Sequence, residues 1–310
     1  KAGGMTFAPG ALWIPATQQA ASIIAQSAPL GVDAYRVSRA PAGAKTALKP
    51  VRVGLVDRYG GVMPAGWTRW LLEQYEFPFE VVYPQTLDAG NLKANYDVLL
   101  FADGTVPVER GGAYPGGYRN SMPKPADIPA DYRAWLGEVS KDKSVPAIDA
   151  FAKAGGTVIT VGSANALASM LSPAVQPALV TKKPDGTVTA LDHKQFYIPG
   201  SILAAKVDPT KPLAYGMAPK VDLFFDESQS FVPTAGLTPV VTYDSATPLR
   251  SGWAVGQEKL NGTVAVASVD LGQGKLFAMG PEVTQRAQPY ASFKLLFNGI
   301  LYGPASTTAQ

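Results

Sequence analysis

Two groups of side chains in this sequence have the types and spacing to do chemistry. The first sits where two short apolar runs end, VRVGLVD (Val51 to Asp57) and YDVLLFAD (Tyr96 to Asp103). Asp57, Arg58, Trp67, Arg69 and Asp103, joined by Arg286 of EVTQRAQPY, combine carboxylates, guanidiniums and an aromatic surface. Such a lining suits a peptide terminus or a sugar better than a phosphate, because carboxylates repel a dianion at close range. Glycines 60, 61 and 66 would let a ligand approach backbone N–H groups at a helix start. GGVMPAG nevertheless lacks the G-x-x-x-x-G-K-[ST] pattern of a phosphate loop. The bland alternative packs Trp67 and Trp70 between helix and sheet and pairs Arg69 with a local carboxylate.

The second group is Ser163 with His193. TVITV, the turn Gly162-Ser163 and ANALASML give the strand, turn and helix of a nucleophile elbow, although G-x-S-x-G is not matched. A triad would have to use His193, the single histidine, beside Asp192. The alternative makes Ser163 the N-cap of the helix. With one His and no Cys, a catalytic zinc lacks its usual ligands, and no D-x-D-x-D-G run marks a calcium loop. No cofactor is therefore expected on this chain. Tyr114 and Tyr118 could stack on a sugar or peptide, or simply glue down the long loop that carries them.

These residues need a scaffold. Val51 to Asp57, the helical spacing of GWTRWLLEQY, FEVVYP and YDVLLFAD alternate in the rhythm of a parallel sheet with crossover helices. Right-handed crossovers carry the loops after Asp57 and Asp103 to one sheet edge, the usual ligand edge of α/β folds. Before this block, ALWIPA and DAYRV read as strands around a helix capped by Thr17. After it come an irregular loop over 104–129, helix at 145–154, strand TVITV and a Pro-Asp-Gly hairpin over 181–189. Further antiparallel or mixed strands, a closing helix at 293–301 and the tail PASTTAQ follow. The boundaries are 1–48 for a β-α-β appendage with its linker, 49–302 for the main domain and 303–310 for the tail.

Composition bounds the function. Of 310 residues, 46% are hydrophobic and 16% charged, enough for a substantial core. Net charge is +3 with scattered cations, so the concentrated basic stripe of a nucleic-acid binder is missing. No apolar run reaches the roughly 20 residues that span a bilayer. The opening KAGGMTFAPG has neither initiator Met nor signal peptide and reads as a piece of a longer protein.

GWTRWLLEQYEFPFEVV, LDAGNLKANYDVLLFAD, AFAKAGGTVITVGSA, FYIPGSILAAKVDPTKPLAYGM and GQGKLFAMGPEVTQRAQPYASFKLLFNGILY together resemble one block. It is the C-terminal region of large bacterial zinc carboxypeptidase-like proteins, of the carboxypeptidase A-type metallopeptidase family. The resemblance implies a flavodoxin-like, class I glutamine amidotransferase-like α/β fold. Its mainly parallel sheet would carry helices on both faces and an antiparallel β extension. The family's zinc ligands would lie in a peptidase domain before Lys1, and the superfamily's elbow cysteine is replaced by Gly162 or Ser163. The expected function is a non-catalytic accessory domain, secreted or periplasmic, that binds peptide or glycan or buttresses the preceding peptidase domain. The competing expectations are a serine hydrolase using Ser163 and His193, and a stand-alone sugar- or metabolite-binding module.

Overall fold

The computed structural model describes residues 2–43, 45–115 and 122–308. The chain divides into two units, one of residues 1–47 with 306–310 and one of residues 48–305.

In the first unit α1 (Gln18–Ser27) begins where predicted, with Thr17 accepting from the backbone N–H of Ala20 at 3.0 Å. β1 (Lys45–Ala47) pairs antiparallel with Ser306–Thr308, so the C-terminal segment read as a tail supplies a strand. ALWIPA and DAYRV, expected as strands, form none. Apolar and aromatic residues favour extended backbone, but a strand also needs a neighbour for its N–H and C=O groups, and neither run has one. Leu12, Trp13, Ile14 and Tyr35 are exposed.

The second unit runs β2 (Val53–Val56), α2 (Met63–Gln74), β3 (Phe79–Val82), α3 (Pro84–Asp88), α4 (Leu92–Asn95) and β4 (Val98–Phe101). After the long loop come α5 (Ser144–Lys153), β5 (Thr157–Val161) and α6 (Asn165–Leu171). The hairpin of β6 (Val180–Lys182) and β7 (Val188–Ala190) stands apart from the main sheet. β8 (Ser201–Val207), β9 (Lys220–Phe225), β10 (Thr238–Thr242), β11 (Leu249–Ser251), β12 (Val264–Leu271), β13 (Gly274–Met279) and α7 (Tyr290–Tyr302) complete it. Residues 253–255 form only a single bridge, Tyr197 to Val255.

Among the described residues ten strands form one sheet. β3, β2, β4, β5 and β13 lie side by side and parallel. β12, β10 and β8 then continue antiparallel, and β8 also carries β9 and β11. Alternation along each strand divides the core in two. Val53, Leu55, Val98, Leu100, Ile159 and Val161 join Leu72 of α2 and Leu295, Leu296 and Ile300 of α7. Val56, Leu99, Phe101 and Val158 face the other way, toward Leu87, Leu92, Ile148, Phe151 and Leu167 of α3 to α6. Both faces are covered, which is why these strands read as continuous apolar runs. The protein has a mixed α/β fold with a large sheet, parallel from β13 to the edge strand β3 and antiparallel on the other side.

One carboxylate ties down the N-terminal ends of β2 and β4. Asp97, 4% exposed, accepts from Lys49 Nζ at 3.0 Å, Arg52 Nε at 3.0 Å, the Arg52 backbone N–H at 3.1 Å and Lys93 Nζ at 3.3 Å. Burial alone would raise its pKa, but the Arg52 bonds and the two ammonium groups hold it well below the usual carboxylate range. A carboxylate depressed in the folded state stabilises above its unfolded pKa of about 3.8, and that contribution is lost as pH falls further. Asp97→Asn is expected to lower stability at neutral pH by about 1–3 kcal/mol in urea unfolding. The gap to wild type should close below pH 3.8.

Candidate functional site

The parallel strands deliver the turns after β2, β4, β5 and β13 to one end of the sheet. β2, β4 and β5 are adjacent, in the registers Val56 to Phe101 and Phe101 to Thr160. Asp57, Asp103 and Ser163 are thereby carried to the same end of the sheet.

At its centre is a strand-turn-helix elbow. β5 ends at Val161, and Gly162 turns the chain with φ of 60°, a left-handed conformation in which a side chain would be strained. A Cβ on Gly162 would also lie 2.6 Å from Oδ1 of Asp103. That oxygen accepts from the backbone N–H of Ser163 at 2.6 Å and from its hydroxyl at 2.5 Å. The Ser163 oxygen in turn accepts from the backbone N–H of Gly104 at 3.0 Å. Two consecutive loops are thus stitched together by one carboxylate and one hydroxyl.

Ser163 is therefore neither of the two things its sequence context suggested. It does not cap α6, whose N-cap position is Ala164 without a side-chain cap bond. Asn165 does the local bonding instead, donating to the carbonyls of Gly162 and Met279 at 2.8 Å each. Nor does Ser163 meet His193. His193 is stacked on Tyr197 with its Nε2 3.8 Å from Glu227, while the serine hydroxyl is 3% exposed and committed at both ends.

Asp103 is paired by short hydrogen bonds yet its pKa is raised. Burial is the largest cause, opposed by the Ser163 and Gly104 donors and reinforced by the charge of Asp226. Glu282, after β13, is pushed up to about 8 by burial, then by Asp103 and Asp226, with Arg286 pulling the other way. One end of the Gln285 carboxamide lies 2.8 and 2.5 Å from the two Glu282 oxygens. A carboxamide can turn its nitrogen toward a carboxylate or its oxygen toward a carboxylic acid, so it serves either protonation state. Arg286 and Ala287 both have positive φ, 46° and 51°. Thr68 of α2 meets Thr284 hydroxyl to hydroxyl at 3.2 Å and fixes this turn against the helix.

A second, neighbouring group is built on Asp57. Its carboxylate accepts from the Arg58 N–H at 2.8 Å. Burial raises its pKa against the pull of the Arg58 and Val62 N–H groups and of the Arg58 and Arg69 charges. Arg58 is buried at 7% exposure. Arg69 is exposed and pairs with Glu73 at 3.1 Å, as the bland reading has it. That reading fails for the tryptophans. α2 buries Pro64, Ala65, Thr68, Leu71 and Leu72, while Trp67 and Trp70 pack edge to face on its outer side at 6.0 Å and remain exposed.

The edge brings together Asp103, Ser163, Glu282 and Arg286, with Asp57, Arg58 and Arg69 beside them, and leaves His193 outside. Asp226 was missed by sequence reasoning because it follows an antiparallel strand far along the chain. The described part of the long loop is anchored by Tyr114, whose hydroxyl bonds that of Ser169, and by the Gly112 carbonyl, which accepts from Ala190. Tyr118 lies outside the described residues. No group of three or more His, Cys, Asp or Glu among the described residues is arranged to hold a metal ion.

Neither a family model nor a curated protein sequence matches this chain. Solved structures resemble its fold. PurLQS from Thermotoga maritima is 12% identical over 81% of this chain and 98% of its own, with a TM-score of 0.48. A glutamine amidotransferase from Thermotoga maritima is 11% identical over 81% and 86%, with a TM-score of 0.43. A protein from Parabacteroides merdae described as ThuA-like is 12% identical over 83% and 90%, with a TM-score of 0.45. The structural neighbours are thus class I glutamine amidotransferase-like and ThuA-like folds, and nothing in these likenesses links the chain to zinc carboxypeptidases.

The raised pKa of Glu282 sets a pH dependence. The folded protein keeps this proton between about pH 4.5 and 8 while the unfolded chain loses it. Stability from this group is therefore full at low pH and declines as pH rises through that window. Each tenfold change in proton affinity is worth about 1.4 kcal/mol. Glu282→Gln is expected to flatten the decline, so that the variant melts higher than wild type above pH 8 and about equally near pH 4.5. Thermal unfolding across that range is the measurement.

Proposed function

We propose that this chain is a non-catalytic accessory domain of a zinc carboxypeptidase-like protein. In this reading it belongs to a secreted or periplasmic parent, and it binds peptide or glycan substrate or buttresses a peptidase domain. One observation carries the non-catalytic half. The elbow carries Gly162 and Ser163 where the resemblance puts the superfamily's nucleophile, and at Gly162 the space a Cβ would need is occupied by the Asp103 carboxylate. A nucleophile needs an exposed, activated atom beside a base. Ser163, the next residue, offers a buried hydroxyl that already donates to Asp103 and accepts from Gly104. A carboxylate is moreover a weak base for a serine proton, since their ordinary pKa values lie far apart.

The link to a peptidase parent rests on the sequence resemblance of the runs between Gly66 and Tyr302. The zinc ligands of that family would then lie outside this chain, and no cofactor is assigned to it.

A fluorophosphonate probe is expected to leave Ser163 unlabelled, and the purified chain to release neither ammonia from glutamine nor C-terminal residues from peptides. Stoichiometric labelling of Ser163 would make the chain a serine hydrolase. The intact mass of the native protein checks the parent, because a mass far above 32.6 kDa is required if a peptidase domain accompanies this one.

A further inference from the structure

The segment Glu227 to Gln229 turns one side toward the sheet edge and lines a second feature with the other. That feature is a cleft of about 40 Å³ lined by apolar Leu179, Leu191, Phe196 and Ile198 as its floor, with buried Gln229 in its wall and His193, Tyr197 and Glu227 toward its mouth. Such a volume takes two or three water-sized groups, enough for an acetyl group and too small for a sugar ring.

Three observations define what would enter. Gln229 is 2% exposed, and among the described residues nothing hydrogen-bonds its carboxamide. Its amide atoms are not among the fully enclosed unpaired ones, so the carboxamide opens onto the cleft it lines, where a ligand's donor or acceptor can pair it. The floor is aliphatic and aromatic, which selects a methyl group over a charge. Beside the mouth stands a rigid aromatic wall. His193 stacks on Tyr197 at 4.6 Å and 21°, and Tyr197 meets Trp253 edge to face at 5.7 Å, with Trp253 56% exposed.

The wall is held by the backbone. Tyr197 and Val255 exchange N–H to carbonyl bonds at 3.1 and 2.9 Å. The Ser201 hydroxyl donates to the Trp253 carbonyl at 2.7 Å and accepts from its N–H at 2.9 Å. Gly256 permits the approach, since a Cβ there would fall 2.0 Å from the Gln195 carbonyl oxygen. A tryptophan exposed on a loop pinned at both ends is already ordered for stacking, so binding need not immobilise it.

We propose that this cleft binds the acetamido group of an N-acetylated hexosamine. The methyl enters the apolar floor, the amide pairs with Gln229, and the pyranose ring lies against Tyr197 and Trp253. The assignment goes beyond the accessory-domain reading and does not need a peptidase partner. Its failure would leave the silent elbow untouched.

The test is titration of the full chain with N-acetylglucosamine, glucosamine and N-acetylalanine methylamide, followed by calorimetry or ligand-observed NMR. N-acetylglucosamine is expected to bind in the millimolar range, and glucosamine at least about tenfold more weakly, the loss of one buried hydrogen bond and one methyl contact. Trp253→Ala, at an exposed position, should keep the melting temperature and weaken binding by about three- to tenfold. Gln229→Leu should weaken it by about tenfold or more, and its far-UV spectrum shows whether the variant is folded. Equal binding of glucosamine, or no binding of N-acetylglucosamine at all, overturns the proposal. So does methylamide binding as tight as that of the sugar, which would mark an acyl-peptide site, or indifference to Trp253→Ala.

Discussion

A carboxylate largely withdrawn from water has to be satisfied, and at the C-terminal edge of this sheet the satisfaction of half-buried Asp103 shapes everything around it. The bonds from Ser163 N–H and hydroxyl, and from Gly104 N–H onto that hydroxyl, lock the turns after β4 and β5 to each other. They require residue 162 to lack a side chain, because the carboxylate stands where one would go. Burial first, and then this carboxylate with Asp226, raise the cost of ionising Glu282. Edge geometry and the bar to a side chain at residue 162 therefore share one cause. Asp97 plays the opposite part at the other end, where cations hold the carboxylate charged and simply fasten strand ends.

Much of this fold was legible in the sequence, for a physical reason. β2, β4 and β5 are covered on both faces, so their residues are small, apolar or β-branched throughout, as VGLV, VLLF and TVITV show. The hairpin at Pro-Asp-Gly and the cap at Thr17 are local devices and read locally. What was misread depends on partners distant in the chain. ALWIPA has strand composition but no neighbour to pair with. Trp67 and Trp70 fit a helical spacing, yet the sheet takes the adjacent stripe of smaller side chains, Ala65, Thr68 and Leu72.

The candidate site was half legible. Strand ends announced Asp57 and Asp103, and EVTQRAQPY announced Arg286. Ser163 was placed correctly in an elbow and wrongly as its cap, because the competing acceptor lies sixty residues earlier in the chain. Asp226 and Gln229 sit in a turn after β9, within an unremarkable polar stretch. No spacing rule marks them. Only the pairing of β8 with β9 and the bond from the Gln229 N–H to the Gly280 carbonyl bring that turn to the edge.

The order of strands has a consequence for how the chain comes to be folded. β5 has β4 on one side, made shortly before it, and β13 on the other, made more than a hundred residues later. During synthesis the apolar margin of β5 must wait, unpaired, while β8 to β12 emerge. An open, both-faces-apolar strand edge is a template for pairing with other chains. The contacts that close it have high sequence separation and form slowly. The seam between β5 and β13 is thus the place where a nascent or truncated chain is most exposed to aggregation. Any piece that stops short of Gly274–Met279 would carry that seam open permanently.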